Sequence, residues 1–363
     1  MNIVVRADAS KFMGIGHVMR CLTLARALSD VGHVIHFVCR EHEGNLGEKI
    51  LEAGHALHLL PKASSYIETK PDPSLSPPHL NWLGEIWQVD AQQTKEALAG
   101  LQLDWLIVDH YALDHGWESS MRGRVENILV IDDLADRSHD CDVLVDQTLN
   151  QMEDIYKPLV PRHCILLTGA RYALLRPEFS LLRAQSLASR NKPSIQHIAI
   201  VFGGGDQSKH ILDSLLSIQK SLISNHVKIT VVMAKNSRYF NQVNALAKDL
   251  PNDIDIIAHI DDMARLMIRT DLVIGAAGGA ALERCCLGVP TLLFVLAENQ
   301  RFNALALSAK EAVSIISDLV VDLEVMLNGC VEEPQKLTRL SQSASELVDG
   351  KGVERVMKRF RNA

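Results

Sequence analysis

The chain has 363 residues, 47% of them apolar and 22% charged, with a formal net charge of -7. That length exceeds one ordinary hydrophobic core and asks for two domains. The composition is that of a globular protein, and the negative balance excludes general affinity for nucleic acid or an anionic membrane surface. The seven cysteines are an odd number without a C-x-x-C pair, which reads as reduced thiols of a cytoplasmic protein. The N-terminus begins directly with strand-like residues, and no stretch approaches the roughly 18 apolar residues of a membrane span. A soluble cytoplasmic monomer is expected, without membrane or nucleic-acid partners.

Residues Ile3 to Ala7 predict a strand, and an amphipathic run from Val18 to Leu28 predicts a helix. Between them lies Gly14-Ile-Gly16-His17-Val-Met-Arg20. Two glycines let this turn take positive φ and approach a ligand, and His17 arrives at the helix N-terminus, where the positive dipole end favours neutral imidazole. A capping turn with an exposed histidine is the plain alternative, because a lone G-x-G lacks the full dinucleotide fingerprint. A strand over His33–Cys39, a helix over Leu46–Ala53 and a strand over Ala56–Leu60 follow. Residues 61–78 read as a Pro- and Ser-rich surface loop, and Asn81 to Ala99 as one helix.

Three apolar runs then end in acids: Trp105-Leu-Ile-Val-Asp109-His110-Tyr111, Ile128-Leu-Val-Ile-Asp132-Asp133 and Val143-Leu-Val-Asp146-Gln147. Buried parallel strands look like this, and ligands of open α/β sheets bind at their carboxyl ends. Any one of these acids could merely cap the next helix. Three carboxylates could also hold a hard cation, but their spacing matches no metal motif, and no metal or cofactor is expected. After a short strand at Cys164–Leu167 and a polar helix, Asn191-Lys-Pro193-Ser194 reads as the interdomain linker, with the boundary near residue 190.

The second half repeats the strand–glycine turn–helix opening: His197–Phe202, then Gly203-Gly204-Gly205-Asp206, then Ser208–Leu222. Strands and helices alternate to Ile274, where a second glycine turn, Gly275-Ala-Ala-Gly278-Gly279, begins. Two such turns offer backbone N–H groups and helix dipoles to a phosphate or diphosphate without a basic cluster. Glu283, one helical turn beyond Gly279, is placed to accept ribose hydroxyls or to be an exposed helical glutamate. Glu298-Asn299-Gln300 follows another strand, Pro290–Leu296, and polar helices close the chain from Leu337 to Phe360.

The segment from Asp261-Asp262-Met263 through Gly278-Gly279, Glu283 and Gly288-Val-Pro290 to Asn299-Gln300 resembles the C-terminal half of MurG-type UDP-sugar transferases. The front end, Arg6-Ala-Asp8-Ala-Ser10 with Gly14 to Ala25, is similar to the hydrolase family of the pseudaminic acid pathway, PseG. So are Val108-Asp109-His110-Tyr111, Asp132-Asp133, Cys141-Asp142 and Tyr172-Ala-Leu-Leu-Arg176. The resemblance spans nearly the whole chain and implies α/β, GT-B architecture: two Rossmann-like doubly wound domains facing across a cleft. It implies an N-terminal domain over 1–190, a UDP-binding domain over 191–345 and a C-terminal helix over 346–363 that packs back on the first.

The implied activity is hydrolysis of UDP-2,4-diacetamido-2,4,6-trideoxy-β-L-altropyranose to UDP and free sugar, with inversion at C1. By the same resemblance His17 is the base that activates water. Tyr111 and Asn299 line the sugar site, and Asp8 lies near the sugar or orients His17. Gly204, Gly205, Gly278, Gly279 and Glu283 hold UDP, and the backbone near Ile260 reads uracil. Gly14, Gly16, Arg20, Asp109, Arg171 and Gln300 complete the substrate contacts. Two other readings stay open: a MurG-like transferase passing the sugar to an acceptor other than water, and a nucleotide-sugar binding module without chemistry.

Overall fold

The computed structural model describes residues 1–62, 79–149, 152–191, 193–203, 205–258, 260 and 262–360, with the backbone but not the side chain of Asn299. Most of the expected 61–78 loop and Gly204 lie outside these residues. The chain divides into two compact units, Met1–Leu174 with Lys351–Ala363, and Leu175–Gly350.

The first unit contains strands β1 (Asn2–Ala7), β2 (Val34–Arg40), β3 (Ala56–Leu60), β4 (Leu103–Asp109), β5 (Val125–Ile131), β6 (Val143–Asp146) and β7 (Ile165–Thr168). All pair in parallel, in the order β3-β2-β1-β4-β5-β6-β7. Successive strand residues point to opposite faces, and here both faces are covered, which is why the strands read as continuous apolar runs. Ile3, Val5 and Ile107 enter one core, with Val18, Cys21, Leu24, Ala25 and Leu28 of the helix Gly16–Asp30. Val4, Leu106 and Val108 enter the other, with Trp117 and Met121. Full burial of one such leucine is worth about 1.5–3 kcal/mol. Val356 and Phe360 complete the first core, Phe360 lying 4.6 Å from the Trp105 ring.

The expected helix over 81–99 is broken. A single 3-10 turn, Leu80–Leu83, ends at Gly84, whose φ of 72° stops it, and the helix restarts at Trp87 and runs to Ala97. A Cβ at Gly84 would lie 2.9 Å from His42 Cε1, so the position also lacks room for a side chain.

The second unit contains β8 (His197–Val201), β9 (Lys228–Val232), β10 (Ile254–Ile257), β11 (Leu272–Ala276), β12 (Thr291–Phe294) and β13 (Ser314–Ile316). They form a second parallel sheet, β10-β9-β8-β11-β12-β13. The break between the units comes at Leu174–Leu175, ahead of the helix Pro177–Ser189, and not near residue 190. That helix is tied to the second unit. Ser186 Oγ donates to Leu287 O at 2.7 Å, while Arg190 donates to Leu287 O and to Thr270 O, each at 3.0 Å. Return to the first unit follows Gly350, and Gly352 packs so closely that a Cβ there would lie 2.2 Å from Ala173 O.

Candidate active site

In each sheet the strand order reverses direction once, between β1 and β4 and between β8 and β11. Such switch points open a crevice at the carboxyl ends of the strands. In the first unit the loop after β1 is held by Ser10, whose Oγ accepts from Phe12 N (3.2 Å) and Met13 N (3.0 Å), and by Gly14 N donating to Ser10 O at 2.8 Å. Gly14 has φ 79°. Ile15 offers no capping side chain, so Gly16 and His17 open the helix with free N–H groups.

His17 Nδ1 lies 2.6 Å from Asp109 Oδ1, at the end of β4. Arg20, one turn further along the helix, grips Asp109 with both prongs, Nε to Oδ2 at 2.6 Å and Nη2 to Oδ1 at 2.7 Å. Its Nη1 donates to Asp133 Oδ2 at 2.8 Å, and Tyr111 donates its hydroxyl to Asp133 Oδ1 at 2.5 Å. Burial alone would push Asp109 up, but Arg20 and His17 outweigh it and hold the carboxyl well below the usual range. An ionised Asp109 accepts the Nδ1 proton, which assigns the neutral ring its lone pair on Nε2. Tyr111 meets the His17 ring edge-on at 4.5 Å. Trp82 stacks on Tyr111 at 5.7 Å and His79 touches both rings, so the 3-10 turn supplies an aromatic wall. Neither His79 nor Trp82 was singled out by sequence; the only signal was Gly84 just beyond them.

Asp8 stands elsewhere. It is fully buried, accepts Arg6 Nη1 at 2.6 Å and Arg40 N at 2.7 Å, and faces His110 Nε2 at 3.3 Å. Asp109, and not Asp8, orients His17. Burial pushes His110 down to about 4, and its neutral ring fits the pocket, with Nδ1 accepting from Ala112 N at 3.1 Å. Of the strand-end acids, Asp109 and Asp133 share Arg20, while Asp132 and Asp146 share Tyr156. No group of three metal-ligating side chains converges among the described residues. Arg171 is exposed, its guanidinium over the Tyr172 ring at 5.2 Å.

In the second unit both glycine turns follow the switch-point strands. Gly203 and Gly205 have φ 90° and 80°. Asp206 Oδ1 accepts from Ser208 N at 3.1 Å at the opening of the helix Ser208–Lys220, whose N-cap, Gln207, makes no side-chain cap, so the glycine turn and the rest of the first helical turn can both offer N–H donors to an anion. Beyond β11, Gly278 and Gly279 lead into the helix Ala280–Cys286, which has no side-chain cap. Gln300 covers this turn: its Nε2 would lie 3.5 Å from a Cβ on Gly278, and its Oε1 accepts from Leu296 N at 3.2 Å. Glu283 is not an exposed helical glutamate. Arg176 Nε and Nη2 both reach Oε1 at 3.1 Å, and the guanidinium rests on Phe179. Burial raises the Glu283 carboxyl, and Arg176 opposes that rise. Ile260 is half-buried, and the backbone of Asn299 lies in the turn Glu298–Gln300. No helix among the described residues is long and apolar enough to cross a membrane.

Residues 198–360 match the glycosyltransferase family 28 C-terminal domain. The chain is 25% identical over 311 residues to the UDP-2,4-diacetamido-2,4,6-trideoxy-beta-L-altropyranose hydrolase of Campylobacter jejuni, covering 85% of this chain and 97% of that protein. It is also 25% identical to an uncharacterized protein of Methanocaldococcus jannaschii over 83% of this chain, but spans only 57% of that protein's length. MurG of Acinetobacter baumannii superposes over 100% of this chain and 99% of its own, with TM-score 0.68 at 15% identity. The UDP-GlcNAc 2-epimerase of Neisseria meningitidis does so over 100% of both chains, with TM-score 0.65 at 11% identity. The chain is thus a GT-B protein of two parallel α/β units, similar over most of its length to the altropyranose hydrolase.

Proposed function

We propose that this chain hydrolyses a UDP-linked 2,4-diacetamido-2,4,6-trideoxy sugar to UDP and free sugar with inversion at C1. The first unit supplies the base and the second holds the nucleotide. The observation that carries this is the His17–Asp109–Arg20 arrangement: with a carboxylate behind Nδ1, the ring in its neutral form presents Nε2 as a proton acceptor. Water oxygen bonds to C1 as the bond from C1 to the diphosphate oxygen breaks. The water proton passes to His17 Nε2, and the electron pair leaves with UDP. A diphosphate is a good leaving group, helped further by amide-rich glycine turns, so the usual acid carboxylate of glycosidases is dispensable. The 25% identity to the Campylobacter jejuni hydrolase over nearly its full length supports water as the acceptor.

A second reading, transfer of the sugar to another acceptor, is favoured by the match to the glycosyltransferase family 28 domain. Proton NMR of the UDP-sugar with the protein in buffer alone separates the two. Hydrolysis gives UDP and free sugar whose first anomeric signal is inverted relative to the substrate. Substrate persisting until an acceptor is added would favour transfer.

A further inference from the structure

Tyr156 stands between two carboxylates at the ends of β5 and β6. Its hydroxyl lies 2.8 Å from Asp146 Oδ2 and 3.0 Å from Asp132 Oδ2, and all three side chains are fully buried. A phenol has one proton to donate. With both acids ionised, one of these contacts would set an oxygen lone pair against an anion. A proton on one of the two carboxyls removes that clash.

The surroundings decide which. Asp132 accepts Ala135 N at 2.9 Å and Leu134 N at 3.3 Å, and Arg137 Nη1 lies 2.8 Å from its other oxygen. Arg137, His139 and these N–H groups outweigh burial and hold it at about 2. Asp146 accepts Thr148 N at 2.7 Å on Oδ1 and is paired with no cation among the described residues. Asp133 faces it from the end of β5 as a like charge, and Tyr156 faces it from the short helix Glu153–Tyr156, whose Glu153 and Asp154 are exposed. Burial first, and Asp133 second, push Asp146 up to about 7.

We propose that Asp146 is a positioning residue of the His17 site that works with its carboxyl protonated. Asp146 Oδ2–H donates to the Tyr156 oxygen, Tyr156 donates to Asp132, and the chain ties β6 to the strand end that carries Asp133. Asp133 in turn holds Tyr111 and Arg20, the two groups that flank His17 and Asp109. Once the proton leaves, Tyr156 can serve only one of two anions, and the tie between β5 and β6 slackens. The effect on turnover rests on the proposed hydrolysis; the protonation does not.

Infrared spectroscopy in D2O tests the protonation without substrate. At pH 6 the wild type should show a carbonyl stretch of a protonated carboxylic acid that Asp146→Asn lacks, and this difference between the two should vanish at pH 9. Absence of that band from the difference between wild type and Asp146→Asn overturns the proposal whatever the reaction. UDP release from the UDP-sugar between pH 6.5 and 8.5 tests the positioning. With the midpoint at about 7, the protonated population falls roughly 25-fold between pH 6.5 and 8.5, so the turnover ratio of wild type to Asp146→Asn should fall by up to about that factor, since asparagine keeps a donor throughout. Tyr156→Phe, which cuts the chain in its middle, should be slow at pH 6.5 and show none of that extra fall. A ratio flat with pH overturns the positioning role.

Discussion

At the residue scale the central feature is the pairing of His17 with Asp109. Asparagine at 109 would keep the shape but offer Arg20 and His17 a neutral partner and release the assigned tautomer. Asp109→Asn should therefore lower turnover roughly 10²–10⁴-fold, with UDP affinity measured by calorimetry nearly unchanged. His17, Arg20, Asp109 and Tyr111 were all legible from local motifs. Their pairing was not, because Asp109 lies 92 residues from His17 and meets it only when β4 pairs with β1. Asp8 misled for the opposite reason. It is close to the glycine loop in sequence, but it sits two residues after Arg6 on the same side of β1 and is drawn into that buried ion pair. His110 adds a pH dependence of known sign. Its folded pKa lies below that of the unfolded chain, so the stabilisation from keeping it neutral is present above about 6.5 and is lost as pH falls towards about 4. Thermal unfolding of a His110→Asn variant between pH 7 and pH 4 should show a shallower loss than the wild type.

At the element scale, parallel strands and the helices between them were readable from apolar runs and 3.6-residue periodicity, because both sheets are buried on both faces. The 81–99 segment was not, since Gly84 stops a helical pattern that apolar spacing alone continues. The consequence falls at the His17 site, for the short turn before Gly84 brings Trp82 and His79 to Tyr111. The restarted helix carries Asp90, wholly buried among Arg6 Nη2 (2.7 Å), Arg40 Nη2 (2.6 Å) and Trp117 Nε1 (3.0 Å). Removing one partner of a buried charge network leaves the others uncompensated. Asp90→Ala should cost about 3–5 kcal/mol in denaturant unfolding, whereas the exposed Lys157–Asp154 pair should cost little when broken.

At the scale of the whole molecule, two units were foreseeable from length and from the repeated strand–glycine turn–helix opening. Their boundary was misplaced because Pro193 looked like a linker, while the tie that assigns the preceding helix is Arg190 reaching carbonyls of residues 270 and 287. The proposed division of labour between the units predicts separable defects. Glu283→Ala in the second unit should weaken UDP binding in calorimetry by tenfold or so, with a smaller effect on turnover at saturating substrate. The corresponding change in the first unit tests the central claim most directly. The account predicts that His17→Ala loses at least about a hundredfold in turnover while its dissociation constant for UDP stays close to that of the wild type. Near-normal hydrolysis by His17→Ala would contradict it.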